Sequence, residues 1–378
     1  MTKYSRFIFT ISIFFLLVLT GCQQTWQIEV QVNDTAHDVI EQEIVSFYLD
    51  ELDYEKESIL LAQIFYHQGF TLIDNIRIED NHGQTHIYDW EQIAETSRIF
   101  PNGDILINQK TYETQIIHIE PSTLANEIKY SITDIAPTIA NILNLPPLTE
   151  ATGNPIYDGS ANHVAMILID GLQYNKLIEL ISLNKIPFFS TIDQIKQGLT
   201  VFPSITTAST TALLTGAPPQ INHVYGYGYR STDSDTLFDL AVDNGKAVTA
   251  VEGYSLAFNL HNAKVILSGD RDGDGFTDDN VLKNSLNTIE SDMPDVLFIH
   301  FHDVDDLGHR FGPDSEEYTH AIIKIDDYLS QIFDSLPEST HIIIFADHGM
   351  QDDSFSAGGN HGMLTQKAMI IPILLLEK

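Results

Sequence analysis

Short apolar segments alternate with helical segments from Gly153 onward, and this pattern constrains the fold more than any other feature of the chain. The intervening stretches are longer and have helical periodicity, as in residues 315–336. The predicted strands are Val164–Ile169, Leu199–Phe202, Val248–Val251, Val296–Phe301, His341–Phe345 and Met369–Leu376. Strands that alternate with helices predict an α/β fold, in which a largely parallel sheet is sandwiched by helices.

The first part of the chain has a different pattern. Residues 23–35 alternate apolar and polar side chains and predict a strand, whereas residues 36–69 are acidic and predict helix. Further strands are predicted at Thr71–Ile78, Thr85–Tyr88, Asp104–Asn108 and Glu113–Glu120, with a short helix at Trp90–Ser97. We therefore expect a small α+β domain over residues 22–125, of unknown role, followed by an α/β domain over residues 126–378.

The N-terminus is typical of an export signal. Lys3 and Arg6 precede the apolar segment Phe7–Leu19, and Thr20 and Gly21 then lead to Cys22. This last stretch resembles a bacterial lipobox, and Cys22 is the only cysteine among the 378 residues of the chain. The pattern predicts a lipoprotein signal peptide over residues 1–21 and lipidation of Cys22. The protein would then be anchored to the extracytoplasmic face of a bacterial cell membrane. The alternative is an ordinary signal peptide with an incidental cysteine.

The chain is strongly acidic, with 53 Asp and Glu against 19 Lys and Arg and a formal net charge of -34. Such a surface repels the phosphates of nucleic acids, so no nucleic-acid binding is expected. A small phosphate-containing substrate would also be repelled at long range. Any phosphate site in this chain therefore needs cations of its own.

Polar side chains follow several of the predicted strands. Asp170 follows the first of them, and the segment from His302 to His309 follows the strand that ends at Phe301. Asp347 and His348 follow another strand, and His361 precedes the last one. The carboxyl ends of parallel strands meet at one edge of a sheet, where ligands bind. Because carboxylates and imidazoles are ligands of zinc and similar ions, the sequence predicts a divalent metal site there.

The segment 201–216 is rich in hydroxyl side chains at the predicted start of a helix. A helix N-terminus suits an anion such as phosphate. A Ser or Thr at that place can act as a nucleophile when a nearby group helps to remove its proton. The alternative is that these hydroxyls only cap the helix.

The order of these motifs resembles the alkaline phosphatase superfamily, and within it the nucleotide pyrophosphatase/phosphodiesterase branch. The resemblance covers residues 160–378. The matching motifs are Asp170, Pro203-Ser-Ile-Thr206 through Thr215-Gly216, Asp305-Asp-Leu-Gly-His309-Arg-Phe-Gly-Pro313, Asp347-His348-Gly349 and His361-Gly362.

The resemblance implies a set of metal ligands and a nucleophile. One divalent ion would be held by Asp305, His309 and His361. The other would be held by Asp170, Asp347 and His348, with Thr206 bridging towards both ions. Zinc is the expected metal, with manganese as the alternative. Thr206 would attack the phosphorus of a small phosphate ester and form a covalent phospho-threonine.

The implied activity is that of a phosphodiesterase or nucleotide pyrophosphatase. The alternatives are a phosphomonoesterase of the same superfamily and a non-catalytic surface-binding lipoprotein. Ser209 stands where phosphodiesterase relatives carry an Asn that contacts the phosphate. Ser209 is therefore a candidate phosphate contact, and the preference between diesters and monoesters stays open. Thr207 is the competing candidate nucleophile.

The segment 131–147 resembles a helix that members of the superfamily usually carry after the last metal-binding His. Here it precedes the first strand of the α/β domain, with Asp134 as a candidate cap and Pro137 in its first turn. We therefore expect a circularly permuted core that starts near residue 126. The alternative is an unrelated amphipathic helix.

An acidic loop in the α/β domain matches the start of a calcium-binding loop, with acidic residues at alternate positions and a glycine at Gly275. The predicted ligands are Asp270, Asp272, Asp274 and Asp278. The position expected to carry the last acidic ligand is Val281. The alternative is a solvated acidic turn without calcium.

Overall fold

Two hydrophobic cores organise the chain in the computed structural model, which describes residues 26–51, 57–353 and 356–378. The first core is formed by apolar side chains between Ile28 and Ile119, joined by a few residues from later in the chain. The second lies between Ile132 and Leu374. We call the parts of the chain that build them the N-terminal domain and, after the activity that the resemblance implies, the catalytic domain.

The N-terminal domain combines two antiparallel or mixed sheets with short helices. Its elements are β1 (Gln27–Val32), β2 (Thr35–Glu41), α1 (Gln42–Glu51), β3 (Ile59–Leu60), α2 (Leu61–His67), β4 (Ile73–Asp80), β5 (Thr85–Asp89), α3 (Trp90–Ile93), β6 (Arg98–Ile99), β7 (Ile105–Ile107), β8 (Lys110–Tyr112), β9 (Thr114–Pro121) and α4 (Leu124–Glu127). One sheet has the order β2-β1-β9-β4-β5, and the other has the order β3-β6-β7-β8. The expected mixture of helix and strand is present.

The prediction of helix over residues 36–69 was wrong at its start. The chain turns back after β1 and forms β2, which pairs antiparallel with β1. The two turn residues, Asn33 and Asp34, both have positive φ angles of 51° and 58°. Asn and Asp tolerate this conformation and are typical of tight hairpin turns, so the dipeptide itself was a signal for the hairpin.

The catalytic domain alternates strands and helices, as the sequence predicts. Its elements are β10 (Tyr130–Ser131), a 3₁₀ helix (Ile132–Asp134), α5 (Ile135–Ile142), β11 (His163–Ile169), α6 (Tyr174–Ser182), a second 3₁₀ helix (Phe189–Thr191), β12 (Lys196–Leu199), α7 (Thr206–Thr215), α8 (Pro219–Asn222), α9 (Leu237–Asp243), β13 (Val248–Glu252), β14 (Lys264–Leu267), α10 (Asp278–Asp292), β15 (Val296–Phe301), α11 (Asp303–Phe311), α12 (Glu316–Ser335), β16 (Thr340–Phe345), β17 (Gln351–Asp352), β18 (Gly359–Asn360), α13 (Gln366–Met369) and β19 (Ile370–Glu377).

The main sheet of this domain has eight strands in the order β10-β12-β19-β16-β11-β15-β13-β14. The central strands β16, β11, β15 and β13 are parallel to one another, and β19 pairs antiparallel with both β12 and β16. The predicted α/β class with a largely parallel sheet is therefore confirmed. The strand predicted at Leu199–Phe202 ends earlier, because β12 covers Lys196–Leu199.

The parallel central strands bring their carboxyl ends to one edge of the sheet. Asp170 directly follows β11, Asp347 lies two residues beyond β16, and His302 follows β15. Glu252 is the last residue of β13. The polar groups that the sequence places at different points of the chain thus meet at one place.

The segment 131–147 does form a helix ahead of β11. Its cap is Ser131, whose hydroxyl accepts from the backbone N–H of Thr133, while the Asp134 carboxylate accepts from the N–H of Ser131. This is a capping box, so Ser131 takes the place expected for Asp134. The circular permutation stays a prediction.

The predicted signal peptide and the lipidation residue Cys22 lie outside the described residues. Among the helices that are described, none has the length and the apolar composition needed to cross a membrane.

The two domains are joined by buried contacts. The indole N–H of Trp90, in the N-terminal domain, donates a hydrogen bond of 2.7 Å to the backbone carbonyl of Leu364. The ring of Tyr66 lies 5.7 Å from that of Phe202. These contacts place the N-terminal domain beside the segment that leads into α7.

We expect Trp90→Phe to lower the free energy of unfolding by about 2–3 kcal/mol, because it reduces a fully buried side chain and leaves a buried carbonyl unpaired. Trp26→Phe is the matched control, since the indole N–H of Trp26 also donates to a carbonyl, that of Pro101, but in an exposed position. Urea unfolding of both variants measures the difference. Equal losses would show that the buried contact between the domains adds no more stability than the exposed contact of Trp26.

Candidate active site

Thr206 is the first residue of α7, and the whole helix is buried. The side chain of Ile205 cannot cap the helix, so the first turn has no side-chain cap. Thr206 keeps 9% of its surface exposed, and its Oγ1 lies 3.3 Å from Nε2 of His348. The neighbouring Thr207 is fully buried, and its hydroxyl has no hydrogen-bond partner in the described part of the chain. Of the two candidate nucleophiles, only Thr206 reaches the imidazoles.

The first predicted ligand group comes together around His348. Its Nε2 lies 3.3 Å from Oδ1 of Asp170 and 3.3 Å from Oδ2 of Asp347. All three side chains are buried. These atoms lie close enough together to bind one metal ion.

The second predicted group also comes together. His309 and Asp305 approach within 3.3 Å, and His361 lies 3.7 Å from the other oxygen of Asp305. The Nε2 atoms of His309 and His361 are 2.9 Å apart. The ring of His361 stacks on that of His348 with centroids 3.7 Å apart, so the two groups are adjacent.

The backbone fixes which nitrogen each of these imidazoles presents. Nδ1 of His309, His348 and His361 lies within 3.0 Å of a backbone carbonyl, from Gly359, Gly349 and Ser204 respectively. A carbonyl can only accept, so each Nδ1 carries the proton and each Nε2 presents a lone pair. Metal-binding histidines usually have this arrangement, with the second nitrogen donating to a backbone carbonyl or carboxylate.

Three carboxylate oxygens at this place have no hydrogen-bond partner among the described residues. They are buried and belong to Asp170 (Oδ1), Asp305 (Oδ1) and Asp347 (Oδ2). A buried carboxylate oxygen without a partner is costly, unless a cation neutralises it. The lone pairs of the three imidazoles face the same region. The donor set therefore fits divalent metal ions such as zinc.

Burial and mutual repulsion dominate the titration of these carboxyl groups. The pKa of Asp305 is raised well above its ordinary value by burial and by the charges of Asp170 and Asp347. The pKa of Asp347 is raised from 3.8 to about 6 by burial and by repulsion from Asp170. The pKa of His361 is lowered by burial and by the neighbouring imidazoles of His348 and His309, which keeps it neutral and able to bind a metal.

A third group, which the sequence reasoning missed, lies behind Asp170. His300 and His302 each contact the carboxylate of Asp170 with one ring nitrogen, at 3.3 and 3.7 Å, and Glu252 with the other, at 3.0 and 3.2 Å. Alternate residues of a strand point to the same face, so the His-x-His pattern at the end of β15 was a signal for this pair. Glu252 could not be linked to them without the order of the strands.

This third group holds Asp170 in its ionised form. Burial alone would raise the pKa of Asp170, but the hydrogen bond from His300 and the nearby imidazoles of His302 and His348 lower it well below its ordinary value. Burial also disfavours the charged form of His300, but Glu252 and Asp170 outweigh it and raise its pKa to about 9. Asp170 is therefore a fixed, charged acceptor at the centre of the site.

Ser209 is fully buried one turn into α7, and its hydroxyl lies 2.9 Å from that of Thr200. Thr200 in turn donates to the backbone carbonyl of Asp347. Ser209 thus connects α7 with the end of β16. Its predicted contact with phosphate stays a prediction.

The acidic loop brings together only three of its four predicted calcium ligands. Asp270, Asp272 and Asp274 lie close enough to share an ion. The structure does not bring Asp278 to them, because this residue begins α10 and is fully buried. Its carboxylate accepts from the backbone N–H groups of His302 and Asp303. The carboxylate of Asp278 therefore holds the start of α11, and calcium binding by the loop stays a prediction.

The comparison with known families supports the same chemistry. The profile of type I phosphodiesterase / nucleotide pyrophosphatase matches residues 249–361. The matched range includes Glu252, His300 and His302 and five of the six predicted metal ligands, which are Asp305, His309, Asp347, His348 and His361. The predicted resemblance is therefore confirmed. Over residues 249–361 the catalytic domain is similar to the nucleotide pyrophosphatase/phosphodiesterase group of the alkaline phosphatase superfamily.

Curated relatives also match only part of the chain. GPI ethanolamine phosphate transferase 2 of Schizosaccharomyces pombe is 28% identical over 192 residues, which cover 42% of this chain and 23% of the relative. A pyrophosphatase/phosphodiesterase of the same organism is 31% identical over 93 residues, which cover 21% of this chain and 19% of the relative. The chain thus spans less than a quarter of the curated relatives it matches.

Among solved structures, phosphonoacetate hydrolase from Sinorhizobium meliloti 1021 is similar with a TM-score of 0.42 and 16% identity, covering 50% of this chain and 57% of that one. The proteins that the chain matches by sequence are thus phosphodiesterases, pyrophosphatases and phosphate transferases.

The raised pKa of Asp347 predicts how the metal-free protein responds to pH. The folded state binds the proton of Asp347 more tightly than the unfolded state does, so protonation of Asp347 stabilises the folded protein. This stabilisation is complete below about pH 4 and is lost as the pH rises through about 6. Asn at this position keeps the acceptor that Gly171 and His348 use but carries no charge. At pH 7.5 in the presence of a chelator, the free energy of unfolding of Asp347→Asn should therefore exceed that of the wild type by on the order of 2 kcal/mol.

Urea unfolding at about pH 4 and at pH 7.5 measures this effect, and the advantage of the variant should vanish at the lower pH. Asp326→Asn is the control, because both carboxylate oxygens of Asp326 accept from backbone N–H groups, those of Phe188 and Phe189. That variant should lose stability at pH 7.5. A loss of stability in Asp347→Asn at pH 7.5 would contradict the repulsion argued for the site.

Proposed function

We propose that this protein is a two-metal phosphodiester hydrolase that acts through a covalent phospho-threonine at Thr206. One observation carries the proposal. The imidazoles of His309, His348 and His361, which backbone carbonyls orient, lie together with three buried carboxylate oxygens that have no hydrogen-bond partner among the described residues. The hydroxyl of Thr206 lies beside them. A phosphomonoesterase of the same superfamily is the alternative within the class.

The resemblance to the family divides the proposed ligands between two ions. Asp170, Asp347 and His348 would hold one ion, and Asp305, His309 and His361 would hold the other, with zinc as the expected metal and manganese as the alternative. When bound, these ions would act as Lewis acids, lower the pKa of the Thr206 hydroxyl and neutralise charge on the phosphoryl oxygens. They would also supply the local positive charge that a chain of net charge -34 requires for an anionic substrate.

The proposed reaction has two steps, and Thr206 is the nucleophile in the first. Thr206 Oγ1 forms a bond to phosphorus while the bond from phosphorus to the leaving alcohol oxygen breaks in line with the attack. The threonine proton is lost to solvent, and the leaving oxygen takes up a proton. Water then attacks the phospho-threonine, the bond between phosphorus and Oγ1 breaks, and Thr206 regains a proton.

The third group supports this step from behind. Glu252 fixes His300 and His302, and these two imidazoles hold one oxygen of Asp170, so the other oxygen faces the first ion site. Glu252, His300 and His302 are therefore proposed as positioning residues. No hydrogen bond or ion pair joins these three residues to Thr206 in the described part of the chain.

A second candidate function is transfer of the phosphoryl-bearing group to an alcohol in place of water. The matches to GPI ethanolamine phosphate transferases of Schizosaccharomyces pombe and Homo sapiens favour it. Adding ethanolamine or glycerol to a reaction with a 4-nitrophenyl diester separates the two functions. A new phosphate ester of the added alcohol indicates transfer, and hydrolysis products alone indicate a hydrolase.

The proposed site of action is the outer face of a membrane, through a lipid on Cys22. This part of the proposal depends on the lipobox resemblance alone. Mass spectrometry of the native protein tests it, with Cys22→Ser as the unmodified control.

Thr206→Ala should lower kcat for bis(4-nitrophenyl) phosphate by about 10³-fold or more, because the attacking oxygen is removed. Thr207→Ala is the matched control, since the neighbouring hydroxyl is buried and does not reach the imidazoles. It should keep most of the activity. An acid quench of the wild-type reaction should also trap a phosphoryl group on the peptide that contains Thr206. Full activity of Thr206→Ala would contradict the proposed mechanism through a phospho-threonine.

Dialysis against a chelator should abolish hydrolysis, and zinc or manganese should restore it. The same ions should raise the free energy of unfolding, by about 2.7 kcal/mol when the ion is present at 100 times its Kd. His361→Ala should weaken both effects, because it removes one of the proposed ligands. Unchanged activity and stability after chelation would contradict the two-metal site.

A further inference from the structure

A pocket of about 250 Å³ lies between the two domains, next to the proposed nucleophile. The N-terminal domain contributes Ile59 and Gln63 to its wall, among others, and the catalytic domain contributes Phe202, Ile205 and Tyr225. Neither domain forms this pocket alone. The mechanism proposed above makes no use of it.

The pocket adjoins the reaction centre on the side of the nucleophile. Ile205 immediately precedes Thr206, and the lining residue Gly362 immediately follows His361. Tyr227, which is 54% exposed, also lines it. A group in the pocket would therefore be part of a molecule that reaches Thr206.

The wall of the pocket is largely apolar and aromatic. Ile59, Phe202 and Tyr225 are buried residues of the N-terminal core cluster, and each lines the cavity. Apolar and aromatic walls with a few polar groups are typical of sites that bind small organic ligands. Flat rings suit such walls, because they can stack on aromatic side chains.

One polar group in the pocket lacks a partner. Gln63 is 4% exposed and lines the cavity, and its Nε2 has no hydrogen-bond partner in the described residues. Leaving a buried amide N–H₂ unpaired is costly, so an acceptor is expected to meet it in the working complex. This amide donates and cannot attract a cation, so it selects for a hydrogen-bond acceptor.

The position of the pocket decides which part of a diester it receives. The attacking and leaving oxygens lie on opposite sides of phosphorus in an in-line displacement. The leaving group departs from the side opposite Thr206, so a pocket on the side of Ile205 and Gly362 suits a different substituent. It faces the substituent that stays on phosphorus during the first step.

We propose that this interdomain pocket binds the retained ester group of the substrate, and that it selects a planar ring that carries a hydrogen-bond acceptor towards Gln63. The proposal rests on the proposed function of the site. It gives the N-terminal domain a role in substrate selection, through a wall that reaches across to Thr206.

Three substrates with one leaving group test the proposal. Bis(4-nitrophenyl) phosphate retains a ring with an acceptor, 4-nitrophenyl phenyl phosphate retains a ring without one, and 4-nitrophenyl ethyl phosphate retains no ring. All three release 4-nitrophenolate. Because their intrinsic reactivities differ, the informative quantity for each substrate is kcat/KM of a variant divided by that of the wild type.

Gln63→Leu should lower kcat/KM about tenfold for the nitrophenyl-retaining substrate, mostly through KM, and should leave the other two substrates within about twofold. Gln68→Leu is the matched control. The side-chain amide of Gln68 is also buried without a partner, but it does not line the pocket. This control should leave all three ratios unchanged.

A second pair of variants keeps the test independent of the folding of Gln63→Leu. A Cβ atom added at Gly226 or at Gly228 would meet no atom within 4 Å, and only Gly226 lines the pocket. Gly226→Leu should therefore lower kcat/KM at least fivefold for both ring-retaining substrates and spare the ethyl ester. Gly228→Leu should change none of them.

The outcomes separate this inference from the proposed function. Activity on all three diesters with ratios that neither Gln63→Leu nor Gly226→Leu changes would overturn the pocket assignment and leave the hydrolase intact. Equal losses for all three substrates would also overturn it, because they would indicate a general structural effect. No turnover of any diester by the metal-loaded wild type would contradict the proposed function itself.

Discussion

The concentration of buried negative charge at one edge of the central sheet is the constraint on which the site depends. Asp170, Asp305 and Asp347 are brought together by three different elements, and each has a buried carboxylate oxygen without a partner in the described structure. Burial and repulsion from the neighbouring carboxylates raise the pKa of Asp305 and of Asp347. A fold does not retain such repulsion for stability. The arrangement is explained if cations complete it, and the lone pairs of three neighbouring imidazoles point to the same conclusion.

The rest of the catalytic domain can be understood as the support for that charge. Parallel strands bring the polar residues to a common edge, and backbone carbonyls of Ser204, Gly349 and Gly359 hold the imidazoles with Nε2 facing inward. Glu252, His300 and His302 keep Asp170 ionised from the opposite side. The N-terminal domain packs against the segment before α7 and encloses the pocket beside Thr206. Rigid support of this kind is what precise positioning of a nucleophile requires.

The sequence predicted the α/β class and the strand ends, because apolar runs followed by Asp or His are visible in a single chain. It also allowed six candidate metal ligands and Thr206 to be named by resemblance, and the structure brings these seven residues together. It could not reveal Glu252 as a partner of His300, since their contact depends on the order of β13 and β15. The pocket at Gln63 was hidden for the same reason, as its walls come from distant parts of the chain. The burial of Asp278 likewise follows from tertiary packing, where the pattern of acidic residues suggested a loop ligand.

Anomalous X-ray diffraction from crystals grown with zinc tests the central claim most directly, because it locates the ions without reference to activity. We expect two strong peaks near Thr206, one among Asp170, Asp347 and His348 and the other among Asp305, His309 and His361. Data collected on both sides of the zinc absorption edge would identify the metal. An absence of ordered zinc at both groups, or zinc bound only between Asp170, His300 and His302, would contradict it.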